Sequence, residues 1–174
     1  MATSPRSVSA KLGVQGHATV HALDAPASFE PELAALAGVR VERAVGGAVT
    51  FAIAFVTTRA RLDALASALV AAADGDARLW FAYPKGSSKR YTCEFNRDTG
   101  WDALGAAGYE PVSQVSIDED WTALRFRKVE FIGVMTRSKL APISAAGQAK
   151  ARASSAKATP RAKAAAKPTR RPRG

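Results

Sequence analysis

Tyr83-Pro84-Lys85-Gly86-Ser87-Ser88-Lys89-Arg90 gathers cations and hydroxyls on a stretch loosened by one glycine, a set of donors suited to an anion. Lys85, Ser87 and Lys89 are the candidate donors and Tyr83 a wall beside them. The spacing is not that of a P-loop, because GxxxxGK[ST] is absent. Asp24 and Thr57 fall at the carboxyl ends of two other expected strands, the edge at which open α/β sheets bind ligands, and complete the candidate anion site. The simpler readings are a solvated loop at 84–90 and a helix-capping role for Asp24.

Other reactive side chains form no pattern. His17 and His21 fall on one side of an expected strand, but two histidines and a distant Cys93 are not a ligand set with recognisable spacing, so no metal is expected. No Ser/His/Asp or Cys/His order stands out, and no catalytic residue is assigned. A nucleotide-binding turn needs glycines where the first strand gives way to its helix; here it reads Leu23-Asp24-Ala25-Pro26-Ala27-Ser28, so no cofactor is expected. Trp80, Trp101 and Trp121 sit in or beside apolar-periodic elements, where core packing explains them better than base stacking.

The elements that must position these residues follow from periodicity. Residues 48–56 place Val49, Phe51, Ile53 and Phe55 on one side and Ala48, Thr50, Ala52 and Ala54 on the other, a strand covered by two layers. Thr57-Thr58 then offers a cap, Leu62, Leu65, Ala66, Leu69, Val70 and Ala73 repeat at helical spacing, and Asp74-Gly75 ends the helix. Residues 79–83 form the next strand, so strand, helix and strand make a βαβ unit. Upstream, 17–23 reads as a strand, Ser28 caps a helix holding Glu30 and Glu32, and 39–45 reads as another strand.

Gly46-Gly47 is ambiguous between a hairpin turn and an extended return from a parallel edge strand; the bulk of the following strand favours the return. Downstream, Asp98 or Thr99 caps a short helix through Trp101 and Leu104, closed by Gly108. Strands at 112–117 and 122–129, joined by Asp118-Glu119-Asp120, must be antiparallel because the connection is short. Arg125 and Arg127 alternate with Leu124 and Phe126, which places charge on an outer face near the sheet edge.

These residues carry a resemblance. Lys11-Leu12-Gly13, Asp24-Ala25-Pro26, Phe55-Val56-Thr57-Thr58-Arg59, Trp80-Phe81-Ala82-Tyr83-Pro84-Lys85 and Asp118 to Trp121 with the strand around Leu124 resemble an uncharacterised bacterial family of small α/β proteins, over about residues 8–129. The element order is similar to a shortened class I methyltransferase-like Rossmann sheet, terminal antiparallel hairpin included. That likeness implies a fold class, α/β with one three-layer Rossmann-like domain, and no function.

Charge divides the chain. Of 25 basic and 15 acidic residues, 11 basic and no acidic ones lie from Arg137 onward, leaving 14 against 15 before it. The expected organisation is a disordered N-terminus at 1–7, an α/β domain at 8–136 and a disordered Ala/Lys/Pro-rich basic tail at 137–174, where low hydrophobicity leaves too little burial to offset ordering entropy. The tail's composition resembles the basic tails of linker histones and of some bacterial DNA-coating proteins. Lys150, Arg152, Lys157, Arg161, Lys163, Lys167, Arg170, Arg171 and Arg173 are the candidate nucleic-acid contacts, and with no base-reading element such binding is sequence-indifferent.

A lone cysteine, no secretory leader and no apolar run of membrane-spanning length point to the cytoplasm, or to the nucleoid within it, and away from a membrane. The expected function is that of a non-enzymatic accessory protein tethered to nucleic acid, its folded domain free to meet a protein partner. The alternative is a sensor or enzyme that binds a small anion or nucleotide at the strand ends.

Overall fold

A computed structural model describes residues 5–133 and 141–157. Its elements run α1 (Val8–Leu12), β1 (Thr19–Leu23), α2 (Glu30–Ala34), β2 (Arg40–Glu42), β3 (Val49–Phe55), α3 (Arg59–Ala72), β4 (Ala73–Pro84), α4 (Asp102–Ala106), β5 (Tyr109–Ser116), β6 (Trp121–Lys128) and α5 (Ala145–Lys157). Short 3-10 turns lie at Ala27–Phe29 and Val129–Phe131. The strands form one mixed sheet in the order β2-β1-β3-β4-β6-β5. β1 is parallel to β2 and to β3, β3 is parallel to β4, and β6 runs antiparallel to β4 and β5. Gly46-Gly47 is therefore the return from a parallel edge strand. β3 is buried at every position but Thr50, so it needs a neighbour on each side, and β1 and β4 supply them.

Alternation along the central strands sorts the core into two layers. Ala52 and Ala54 of β3, with Leu79 and Phe81 of β4, face Leu62, Leu65, Ala66 and Leu69 of α3; the small alanines let the helix lie close. Phe51, Ile53 and Phe55, with Trp80 and Ala82, face Leu12, Phe29 and Leu33 on the α1 and α2 side. All three tryptophans are core residues: Trp80 donates to the Leu12 carbonyl at 3.0 Å, and Trp101 to the carbonyls of Asn96 and Arg97 at 3.0 Å each. The hairpin is pinned by Asp118, whose carboxylate accepts from the Asp120 and Trp121 amides at 2.8 Å each.

Several local expectations are corrected. Ser28 lies inside a 3-10 turn and caps nothing, because Pro31 within α2 already suits a helix start. α3 passes at Ala73 directly into β4, and Asp74-Gly75 forms a bulge there, the register jumping from Val49↔Ala73 to Phe51↔Arg78. α4 starts at Asp102 without a side-chain cap, since Asn96 rather than Asp98 or Thr99 accepts the local amides, those of Asp98 and Thr99. Arg125 and Arg127, by contrast, lie near the sheet edge as expected, on β6 beside the edge strand β5.

The largest correction concerns the basic segment. Residues 145–157 are helical rather than part of one disordered arm, and the chain just before α5 is docked by polar contacts. Glu110, fully buried on β5, accepts from the Ile143 amide at 2.8 Å, the Ser144 amide at 2.6 Å and the Ser144 hydroxyl at 2.5 Å. Ser144 Oγ in turn accepts the Gly147 amide at 2.8 Å in the first turn of α5. The boundary at 136–137 and the tail residues 158–174 lie outside the described residues.

Candidate functional site

The carboxyl ends of β1 and β3 flank the point where strand order reverses, the usual ligand crevice of an open α/β sheet. Here the chain fills that point itself. Asp24, in the left-handed region at φ 54°, takes both sides of the Arg61 guanidinium at 2.6 and 3.0 Å. The N-terminus of α3, where a phosphate would otherwise seat, is capped twice: Thr58 Oγ1 accepts from the Arg61 amide and Glu94 Oε2 accepts from the Arg59 amide at 2.8 Å. Phe29, Phe55 and Trp121 pack below, tilted and edge-to-face, with ring centroids 4.9 and 5.2 Å apart. Thr57 engages the opposite wall, its carbonyl accepting the Glu94 amide at 3.0 Å.

Open space lies instead past the end of β4. A cleft of about 730 Å³ is bounded by the 85–99 segment on one side and by Gln114 and Thr122 of the terminal hairpin on the other. Its floor is Tyr83, packed against Phe95 and Trp101 at 5.8 and 5.7 Å. Burial pushes the Tyr83 phenol up to about 12, so it is a neutral hydroxyl at physiological pH. Gln114 Nε2 donates to Tyr83 Oη at 3.4 Å and to Thr122 Oγ1 at 3.1 Å. Arg97 stands at the rim, its Nε on Asp98 at 3.3 Å. Burial also raises the Cys93 thiol, which keeps it protonated and a poor nucleophile. The cleft offers hydroxyl, amide and guanidinium donors over an aromatic floor.

Of the anion-site residues read from the sequence, Tyr83 and Lys85 line this cleft. The Lys85 ammonium is already engaged, donating to Ser116 Oγ at 2.7 Å and to the Asp118 carbonyl at 2.5 Å, and so ties the β4 end to the hairpin. Ser87 and Lys89 are exposed on the outer side of the loop. It is Ser88 that organises the loop, donating to Asp120 Oδ1 at 2.8 Å and accepting the amides of Arg90 and Tyr91. Asp24 and Thr57 sit at the filled crevice and do not join Tyr83 and Lys85. Gln114, Thr122 and Arg97 were missed. Thr122, a polar residue opening a strand that is otherwise buried for four positions, was the one available signal.

His21 is buried, with Nδ1 3.3 Å from the Phe51 carbonyl and Nε2 3.4 Å from that of Gly46, and His17 meets Thr50 Oγ1 at 3.3 Å. His21 ties β1 to β3, whereas His17 lies ahead of β1 rather than on it and reaches Thr50 of β3, and among the described residues no three His, Cys, Asp or Glu side chains gather as a metal would require. Of the candidate nucleic-acid contacts, Lys150 is spent on the fold: its ammonium donates to the Val129 and Ile132 carbonyls. Arg152 is exposed on α5. Lys157 ends that helix, and Arg161, Lys163, Lys167, Arg170, Arg171 and Arg173 lie outside the described residues. No described helix is long and apolar enough to cross a membrane.

No protein-family model matches the chain, and no curated protein matches it. Among solved structures, a LepI variant in complex with SAH and a substrate analogue is similar to it at a TM-score of 0.41 and 14% identity. That match covers 69% of this chain and 39% of the other, so this chain spans well under half the length of the neighbour.

Proposed function

We propose that this chain is an accessory protein whose α/β domain is held to nucleic acid by its cationic C-terminal segment, without sequence preference. The carrying observation is charge segregation: 11 cations and no carboxylate from Arg137 onward, against 14 and 15 before it. Nucleic acid is the commonest intracellular polyanion, and neutralising its phosphates releases condensed counterions. The docking of Ser144 on Glu110 supports the reading by fixing where the segment leaves the sheet. We take the domain to be Rossmann-like, of shortened methyltransferase-like topology, because a parallel β2-β1-β3-β4 core ends in a reversed β6-β5 hairpin. Its glycine-free turn after β1, occupied by Arg61, supports a role without a nucleotide cofactor.

The test is a fluorescence-anisotropy salt series on short duplex DNA. With about six to eight cations engaged, log K falls against log salt with a slope of about −5 to −7. Replacing Arg161, Lys163, Lys167, Arg170, Arg171 and Arg173 by Gln in the full chain makes the slope shallower by about 5. Unchanged binding would remove the segment as the anchor. Scrambled duplexes of equal length bind alike.

One observation favours a second reading, a small-molecule sensor: the cleft over Tyr83 has the size and mixed polarity of a ligand pocket. A thermal-shift screen with phosphorylated and carboxylated metabolites tests it, since a ligand at 100 times its dissociation constant stabilises by about 2.7 kcal/mol. No shift with any of them leaves the tether alone standing.

A further inference from the structure

The body before Arg137 has no excess of positive charge, yet one patch of its sheet does. Arg78 shares the α1-facing side of β4 with Trp80, and Arg125 and Arg127 share the same side of β6 with Trp121 and Ala123. Leu79 pairs with Phe126 and Trp80 with Arg125, so the antiparallel register sets Arg78 beside Arg127 and Arg125 one step along. Like charges this close across a sheet are unfavourable.

Nearby carboxylates balance them only in part. Asp76 forks onto Arg127 at 2.8 and 2.5 Å and is drawn down by that hydrogen bond first, with Arg125 and Arg78 adding to the effect. Glu110 stands opposite Arg127 in the ladder and offsets one further charge, while its oxygens accept from Ile143 and Ser144 rather than from a guanidinium. Among the described residues Arg78 reaches only the Leu12 carbonyl, at 3.5 Å. Arg125 Nε is buried and has no hydrogen-bond partner among the described residues. Burial first, and then the charges of Arg78 and Arg127, make the protonated Arg125 less favourable than an ordinary guanidinium. His17, beside Arg78, is held below its usual value chiefly by burial and adds no charge at neutral pH.

Three guanidiniums against the carboxylates of Asp76 and Glu110 leave a local excess of one positive charge, and guanidinium forks match phosphate oxygens in pairs. We infer that Arg78, Arg125 and Arg127 form an oxyanion site on the sheet face that takes a phosphate group, with Arg125 at its centre. The phosphate belongs either to a nucleic-acid backbone or to a free phosphorylated small molecule. The site is independent of the C-terminal cations, so it stands or falls separately from the tether.

The test uses the full chain with the six cations from Arg161 to Arg173 replaced by Gln, which lowers the background from the C-terminal segment, and reads the sheet patch from the difference that its own substitutions make. At constant ionic strength, inorganic phosphate in place of chloride raises the unfolding temperature saturably and broadens the 31P resonance. Arg125→Gln weakens that binding by about tenfold or more, and Arg125→Lys, which keeps charge but loses the fork, by several-fold. Without phosphate, Arg125→Gln unfolds no lower than its parent, because a poorly solvated like charge has been removed. Should that variant fail to fold, Arg125→Lys and Arg78→Gln carry the same comparison. Duplex binding that is lost in the Arg125 variants assigns the phosphate to a nucleic-acid backbone; binding of inorganic phosphate without duplex binding assigns it to a free small molecule. A phosphate response equal to chloride, or equal in parent and Arg125 variants, overturns the site.

Discussion

Tyr83 shows how one side chain acquires its character from its surroundings. Its phenol lies under Phe95 and Trp101 with the Gln114 amide near its oxygen, and burial lifts it from the ordinary 10.0 to about 12. The unfolded chain ionises first, so the stabilisation is complete below pH 10 and is lost as pH rises from about 10 to about 12. Over that window the wild type loses about 3 kcal/mol relative to Tyr83→Phe, measured by urea unfolding at stepped pH. Tyr109, also raised by burial, contributes with the same sign. That Tyr83 and Lys85 lie at the carboxyl end of β4, where they line the cleft, was legible from the apolar run that leads into them. That Lys85 is tied to Ser116 and Asp118 was not, because those partners come from a hairpin more than thirty residues away.

At the scale of elements, α3 was the most legible, since its apolar spacing and Thr58 are local signals. Thr58→Ala costs about 1 kcal/mol in urea unfolding, the usual worth of an N-cap. Gly100 closes the approach to α4 at φ 101°, and a Cβ there would lie 2.6 Å from that of Phe95. Gly100→Ala therefore lowers stability by about 2–3 kcal/mol, adding left-handed strain to overpacking. α5 was illegible because its Ala, Lys and Ser composition has no apolar stripe; a buried glutamate thirty-four residues away receives the segment leading into it. Glu110→Ala leaves the Ile143 and Ser144 donors without their acceptor. Hydrogen exchange at the first amides of α5 then rises about a hundredfold, equivalent to about 2.7 kcal/mol of lost local protection. Gly147→Ala acts alike, because a Cβ at that position would collide with the Glu110 carboxylate.

The whole molecule joins a nearly neutral sheet domain to a cationic C-terminal segment. The two features proposed to meet phosphate, the tail and the arginine face of the sheet, are separable by substitution, and the salt slope reads the first while phosphate-dependent unfolding reads the second. Composition and periodicity by themselves determined the α/β class, the terminal hairpin and the imbalance of charge, and favoured the parallel edge strand that the β1-β2 pairing settled, since each depends on residue type or on spacings within one or two elements. Only the tertiary structure decided that Asp24 and Thr57 belong to a filled crevice, that the open cleft lies over Tyr83, that Ser144 docks on Glu110, and that Arg78 meets Arg125 and Arg127. Those outcomes rest on pairings between residues tens of positions apart, whose energies depend on register and burial and leave no local trace in the chain.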